Sequence, residues 1–145
     1  MEGYVAPGRR LTAAGARRIM ATALGRAQQA GVAITVAIVD AGGHLVLLER
    51  MEGGRFHTVH SATTKAVCAA SNRRATGPRG ATGNELDTSH ALGLALAAGA
   101  ERWTAMEGGA PIVVDGECLG GVGVAGGDWQ FDERVAREAA EAISK

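Results

Sequence analysis

From Thr12 the apolar positions recur at spacings of three and four. Ala16, Ile19, Met20, Ala23, Leu24 and Ala27 form one stripe, which predicts an amphipathic helix over about 12–29. Thr12 is its expected N-cap, because a hydroxyl there accepts a bond from an otherwise orphaned amide, and Gly31 is its expected stop. At Val32 the period drops to two. Val32, Ile34, Val36 and Ile38 point one way and Ala33, Thr35 and Ala37 the other, so a strand with one bulky and one small face is predicted. Asp40-Ala41-Gly42-Gly43 turns the chain, and His44–Arg50 returns as a second strand. After a loop over 51–56, the segment from His57 to about Asn72 reads as a helix.

The stretch 72–87 is polar and carries Gly77, Pro78, Gly80 and Gly83, which predicts a long loop of the kind that is often functional or mobile. A helix from about Thr88 to Arg102 follows. It is apolar nearly all round (Leu92, Leu94, Leu96), and such a helix is expected to be buried. A second hairpin runs Ala110–Val114, Asp115-Gly116, Glu117–Ala125, with Asp-Gly a strong turn signal between β-formers. Gly126-Gly127 leads into a last helix over about Phe131–Ser144, with Val135, Ala139 and Ile143 on one face. The order α-β-β-α-α-β-β-α describes an α+β protein, a mostly antiparallel sheet layered with helices as an α/β sandwich. No linker divides it, so one domain over 1–145 is expected, and that length buries a core without metals or disulfides.

Charge narrows the partners. Lys plus Arg number 15 and Asp plus Glu number 15, leaving no basic surplus to follow a phosphate backbone, so nucleic acid is not expected. Near-zero net charge gives little repulsion between copies and suits a homo-oligomer. Met1–Arg10 lacks the apolar core of a secretion signal, and no stretch reaches the roughly 20 apolar residues of a membrane span. Two cysteines, Cys68 and Cys118, are too few for a disulfide scaffold and read as reduced thiols, hence a cytoplasmic protein. Aromatics make up only 3% while Gly occurs 22 times, so the core should be built from Ala, Val and Leu with closely packed backbones.

Candidate chemistry concentrates on the second helix. At about 100° per residue, His57, His60, Ser61, Thr64 and Cys68 share a stripe with Lys65 at its edge, and Val59, Ala62, Ala66, Ala69 and Ala70 cover the other side. One face therefore packs on the sheet and the other carries the ligating and nucleophilic groups. His57 and His60, three apart, can touch one ligand. The glutamate and spacing of the metallohydrolase signature are absent, and no dedicated metal site is expected. Cys68 reads as a small buried residue unless a neighbouring cation activates it. Arg50 and Lys65 flank the hairpin–helix turn and are a candidate carboxylate-binding pair. Asp40 is expected to bond turn amides, and Asp128 and Asp132 to cap the last helix. Gly121 and Gly123 share a strand face, as where another backbone or a flat ligand approaches closely. Glu107 puts a carboxylate at the start of the third strand.

Several of these segments resemble one family. Val39-Asp40-Ala41-Gly42-Gly43-His44-Leu45-Val46 with Arg50-Met51-Glu52-Gly53 is similar to the VD-x-GG-x-LV … RM[DE]G run of the GlcG/HbpS-like heme-binding proteins. Ala62, Lys65-Ala66 and Ala69-Ala70 resemble their A-x-x-KA-x-x-A[A] helix. Gly108-Gly109-Ala110-Pro111-Ile112, Gly116 and Leu119–Val124 resemble their GG-x-PI … GG[IV]GV hairpin, and Asp132-Glu133 with Val135-Ala136 the DE-x-VA of the last helix. Together the motifs span about 12–143. The resemblance implies a profilin-like fold and homo-oligomers, and a link to heme binding, heme degradation or redox sensing. The chain departs from the pattern at Glu107, at Ala125, and at His57 and His60, where small or acidic residues are usual.

Two functions follow as expectations. In the first, the chain is a small-ligand-binding oligomer that takes heme or a similar flat cofactor, with His57 or His60 as axial ligand and Gly121 and Gly123 beside it. In the second, it is a cofactor-independent lyase, isomerase or cyclase for a small organic acid. His60 or Glu107 then moves the proton, and Arg50 and Lys65 hold the carboxylate or enolate.

Overall fold

The computed structural model of the chain describes residues 3–144; Met1 and Glu2, the first of the residues weighed for a leader, and Lys145 lie outside them. Helix α1 spans Ala13–Ala30, with Thr12 Oγ1 accepting from the Gly15 amide at 3.0 Å and Gly31 ending it in the left-handed region. Strands β1 (Thr35–Asp40) and β2 (Leu45–Arg50) form the first hairpin. In its turn Asp40 Oδ1 accepts from the Gly42 and His44 amides at 2.9 and 3.0 Å. Helix α2 spans Thr58–Asn72 and α3 spans Thr88–Ala98. The second hairpin pairs β3 (Gly109–Val114) with β4 (Glu117–Ala125) through Asp115-Gly116, both at positive φ as a tight primed turn requires. Helix α4 (Trp129–Ala140) starts two residues earlier than its periodicity indicated, because Asp128 caps it through the Phe131 amide at 2.8 Å.

All pairings are antiparallel and the strand order is β2-β1-β4-β3. The predicted α+β class and element order are those observed. The two-faced reading of β1 explains the layers. Its bulky face (Val36 and Ile38, with Ile34 just before the strand) joins Val122 and Val124 of β4 against α1 and α4 in the larger core. Its small face (Ala37, with Val39) meets Ala62, Ala66 and Ala70 of α2 in the second.

The sheet edges differ. On β3, Gly109 turns its backbone outward, donating to Thr76 Oγ1 at 2.8 Å and accepting from the Thr76 amide at 3.0 Å. Alternation then makes Pro111 the next outward residue, where its missing N–H blocks further pairing. On β2 the other edge carries Leu45 and Val46, 54% and 38% exposed.

One expectation is overturned. Helix α3 is apolar as read, but none of its residues is buried, and Leu92 and Leu96 are 58% and 76% exposed. It ends at Ala98, short of Arg102. It lies across a cleft from α2, and among the described residues no helix or strand packs closely on it, so its apolar side chains stay exposed.

Candidate functional site

The polar stripe of α2 forms one wall of a cleft of about 480 Å³ whose other wall is α3 and the segment 100–106. His60, Ser61, Thr64 and Lys65 line it from α2; Leu92 and Ala95 from α3; Trp103 and Met106 from the connecting segment. That segment is pinned to α2 at two points. Thr64 Oγ1 donates to the Ala100 carbonyl at 3.0 Å, and Cys68 Sγ to the Thr104 carbonyl at 3.6 Å. The result is a polar floor with an imidazole at its margin, facing an apolar wall.

The height of that floor is fixed by glycine. A Cβ built on Gly123 would fall inside the Ala62 carbonyl oxygen, and one on Gly121 inside that of Ala66. The close approach that Gly121 and Gly123 permit is therefore that of the α2 backbone. They seat the helix and do not face a cofactor, which corrects their expected ligand role.

Lys65 is the deepest charged group of the site, with its side chain 4% exposed. Its ammonium donates to the Val124 carbonyl at 2.9 Å and lies 3.6 Å from Asp132 Oδ2. Burial pushes the Lys65 pKa down, opposed by the charges of Asp132 and Glu107. Burial likewise pushes Asp132 up, against Lys65 and the Gly127 amide, which donates to Oδ1 at 3.0 Å. For both partners desolvation outweighs pairing, as is common for buried ion pairs. Gly108, at φ +118°, passes so close that a Cβ there would meet Lys65 Nζ at 2.8 Å.

The remaining candidates are dispersed. His57 holds the N-cap position of α2 without a side-chain cap bond, is exposed, and meets Phe56 edge-on at 6.3 Å. It does not line the cleft. Arg50 ends β2, exposed and in no ion pair among the described residues. It does not join Lys65, whose ammonium is turned inward to β4 and α4, so the expected carboxylate-binding pair is not formed. Glu107 is half-buried and lines a separate cleft with Arg74, Arg79, Glu85, Trp129 and Glu133. Of the groups expected in acid–base catalysis, His60 or Glu107 with Arg50 and Lys65, only His60 and Lys65 line one cleft; Glu107 lines another and Arg50 neither. Cys68 is buried with its thiol pushed up by burial, as an inert core cysteine is. Asp132 was read as a cap; Asp128 alone caps α4, and Asp132 is the buried partner of Lys65. The signal lay in its position, since Asp132 falls on the face of α4 that carries Val135, Ala136 and Ala139.

The model of the family described as haem degrading protein HbpS-like matches residues 11–141. The chain belongs to the HbpS-like family. Among its relatives, Protein GlcG of Escherichia coli (strain K12) is 34% identical over 130 residues, 90% of this chain and 92% of that protein. Among solved structures, the HbpS-like fold seen here is similar to protein ORFY of Klebsiella pneumoniae with a TM-score of 0.85 at 26% identity, covering 99% and 97% of the two chains. It is similar to the PduOC:heme complex with a TM-score of 0.79 at 27% identity, covering 93% and 96%. For this HbpS-like chain, no helix among the described residues is long and apolar enough to cross a membrane. Nor do three or more His, Cys, Asp or Glu side chains gather among those residues as a metal site would require.

Proposed function

We propose that this HbpS-like chain binds heme in the cleft between α2 and α3, with His60 as axial ligand. The observation that carries the reading is the placement of one imidazole at the margin of a cleft walled by Leu92, Ala95, Trp103 and Met106. That donor set fits the group: a nitrogen ligand for iron and apolar side chains for the macrocycle. Ser61 and Thr64 offer hydroxyls at its polar edge. The heme complex of the PduOC relative supports the choice of ligand. Bound there, heme would supply an iron centre for redox or ligand chemistry, while this chain binds it, orients it and limits water.

The exposed leucines of α3 favour a homo-oligomer in which another copy covers that helix, since an uncovered apolar patch on a monomer is uncommon. The two unpaired cysteines fit a reducing cytoplasm.

Titration of the apo-protein with hemin, followed by absorbance, tests the assignment. A saturable Soret shift is expected in the wild type and in His57→Ala, and its loss or marked weakening in His60→Ala. No saturable shift in the wild type, or one unchanged in His60→Ala, overturns it.

A further inference from the structure

We propose that the cleft between the 74–86 loop, Glu107 and the start of α4 is a second small-molecule site, and that it takes a basic amino acid. It shares no lining side chain with the cleft between α2 and α3, and the proposal does not depend on heme.

The polar segment between α2 and α3 is held in a defined shape. Thr76 fastens its start to Gly109 through a side-chain and a backbone bond. Farther on, the Gly80 amide donates to the Asn84 carbonyl at 3.0 Å, the Gly83 amide to the Gly80 carbonyl at 2.9 Å and the Leu86 amide to the Pro78 carbonyl at 2.8 Å. These bonds make a small hairpin across which Arg79 and Glu85 pair, their side chains 3.9 Å apart. Gly83, at φ +84°, has no room for a side chain, because the Arg74 guanidinium lies over it and a Cβ would meet Nη1 at 2.7 Å. The loop thus sets Arg74 in place, and no carboxylate among the described residues comes within ion-pair distance of it.

With Arg74, the cleft of about 450 Å³ gathers Arg79, Glu85, Glu107, Trp129 and Glu133, a size within the range of small-molecule sites. Its guanidiniums are one fewer than its carboxylates. Once Arg79 and Glu85 offset each other, Arg74 remains as a cation and Glu107 and Glu133 as anions. Neither glutamate is in an ion pair among the described residues. The charge of Glu107 also reaches Lys65, but Asp132 already balances that ammonium. The indole of Trp129 is 52% exposed at the same cleft.

An exposed indole beside two half-buried carboxylates suits an organic cation, and a guanidinium beside them suits a carboxylate. A ligand that satisfies both carries one carboxylate and two cationic nitrogens, the charge pattern of arginine and lysine. A polyamine would set a cation against Arg74, and a neutral or acidic amino acid would leave Glu107 or Glu133 without a partner. Two sequence features that the heme reading leaves unused also meet here. They are the polar 72–87 stretch and Glu107, a position where the chain departs from its family's pattern.

Isothermal titration calorimetry on the full chain without hemin, at constant ionic strength, tests the assignment. L-arginine and L-lysine should bind saturably at millimolar concentrations or below. Agmatine, which lacks the carboxylate, and L-citrulline, which lacks the side-chain charge, should each bind about tenfold more weakly. Arg74→Gln should bring arginine down to the level of agmatine and should not weaken agmatine. Glu107→Gln and Glu133→Gln should weaken both; if Glu107→Gln does not fold, Glu133→Gln carries the same test. Arginine should alter the fluorescence of the wild type, and Trp129→Phe should abolish that change, since Trp103 is buried and lines other clefts. Urea midpoints show which variants are folded. No saturable binding of arginine or lysine overturns the proposal. So does agmatine binding as tightly as arginine, or an Arg74→Gln loss that agmatine shares equally, since Arg74 then holds no carboxylate.

Discussion

Replacing Lys65 by Met keeps the aliphatic stem and deletes the ammonium that faces Asp132 and the Val124 carbonyl. Asp132, 5% exposed, is then a buried carboxylate whose remaining bond comes from the Gly127 amide. Its cheapest escape is to take up a proton. From an ordinary value of 3.8, remaining protonated at pH 7 costs about 4 kcal/mol at 1.36 kcal/mol per pH unit. That figure is a ceiling on the carboxyl's share, because burial already raises Asp132 in the native pair. The lost bond to Val124 adds about 1 kcal/mol. A net loss of roughly 3–4 kcal/mol is expected at pH 7, in line with breaking a buried pair from one side.

The pH dependence follows from the sign of the shift. A carboxyl raised in the folded state holds its proton more tightly there than in the unfolded chain. Its contribution to stability is present at low pH and lost as pH rises. The cost of Lys65→Met should therefore shrink at pH 5, where the proton-uptake route costs under about 2 kcal/mol. Urea unfolding followed by circular dichroism at both pH values measures this, with the double variant Lys65→Met/Asp132→Asn as control. The double variant removes both charges and should recover most of the loss at pH 7. A single-variant loss below about 1 kcal/mol at pH 7, or one equal at both pH values, refutes the reasoning.

The seat of α2 gives a paired test. Gly123→Ala drives a methyl into the Ala62 carbonyl and should cost about 1–3 kcal/mol in urea titrations, as overpacking does. Gly25→Ala, in the middle of α1 with open space around it, should instead stabilise by about 0.5–1 kcal/mol. Under native conditions a disulfide reagent should label half-buried Cys118 well before buried Cys68, whose thiol burial keeps protonated. Equal labelling rates would mean that the 100–104 segment opens readily from α2.

The layers were legible because the strand β1 announces two faces of different size, and each size selects its partner. Caps and turns were legible for the same local reason: Thr12, Gly31, Asp40 and Asp115-Gly116 act on amides within a few residues of themselves. Long-range polar pairing was not. Lys65 and Asp132 are 67 positions apart by their numbering, and periodicity says nothing about which buried charges meet. Helix α3 misled for a related reason. An all-apolar helix declares that it needs covering, but not whether its own chain supplies the cover. The α2 stripe does not stay together as one surface: His57 and His60 are exposed, while Thr64, Lys65 and Cys68 are buried. His60, Thr64 and Lys65 line the cleft, while His57 sits one turn too early to reach it.

The alanine–glycine seam beneath α2 makes that interface tolerant of change in only one direction. Where large side chains interlock, a core can be damaged by truncation as well as by enlargement. Here Ala62, Ala66, Gly121 and Gly123 have almost nothing left to remove. Apart from alanine to glycine, every substitution there adds volume and lifts the helix. Because His60 and Thr64 ride on that helix, enlarging a residue on the hidden side of α2 would shift the cleft floor without touching a cleft residue. Variation in ligand preference among chains with this seam should therefore be sought beneath the helix as well as upon it.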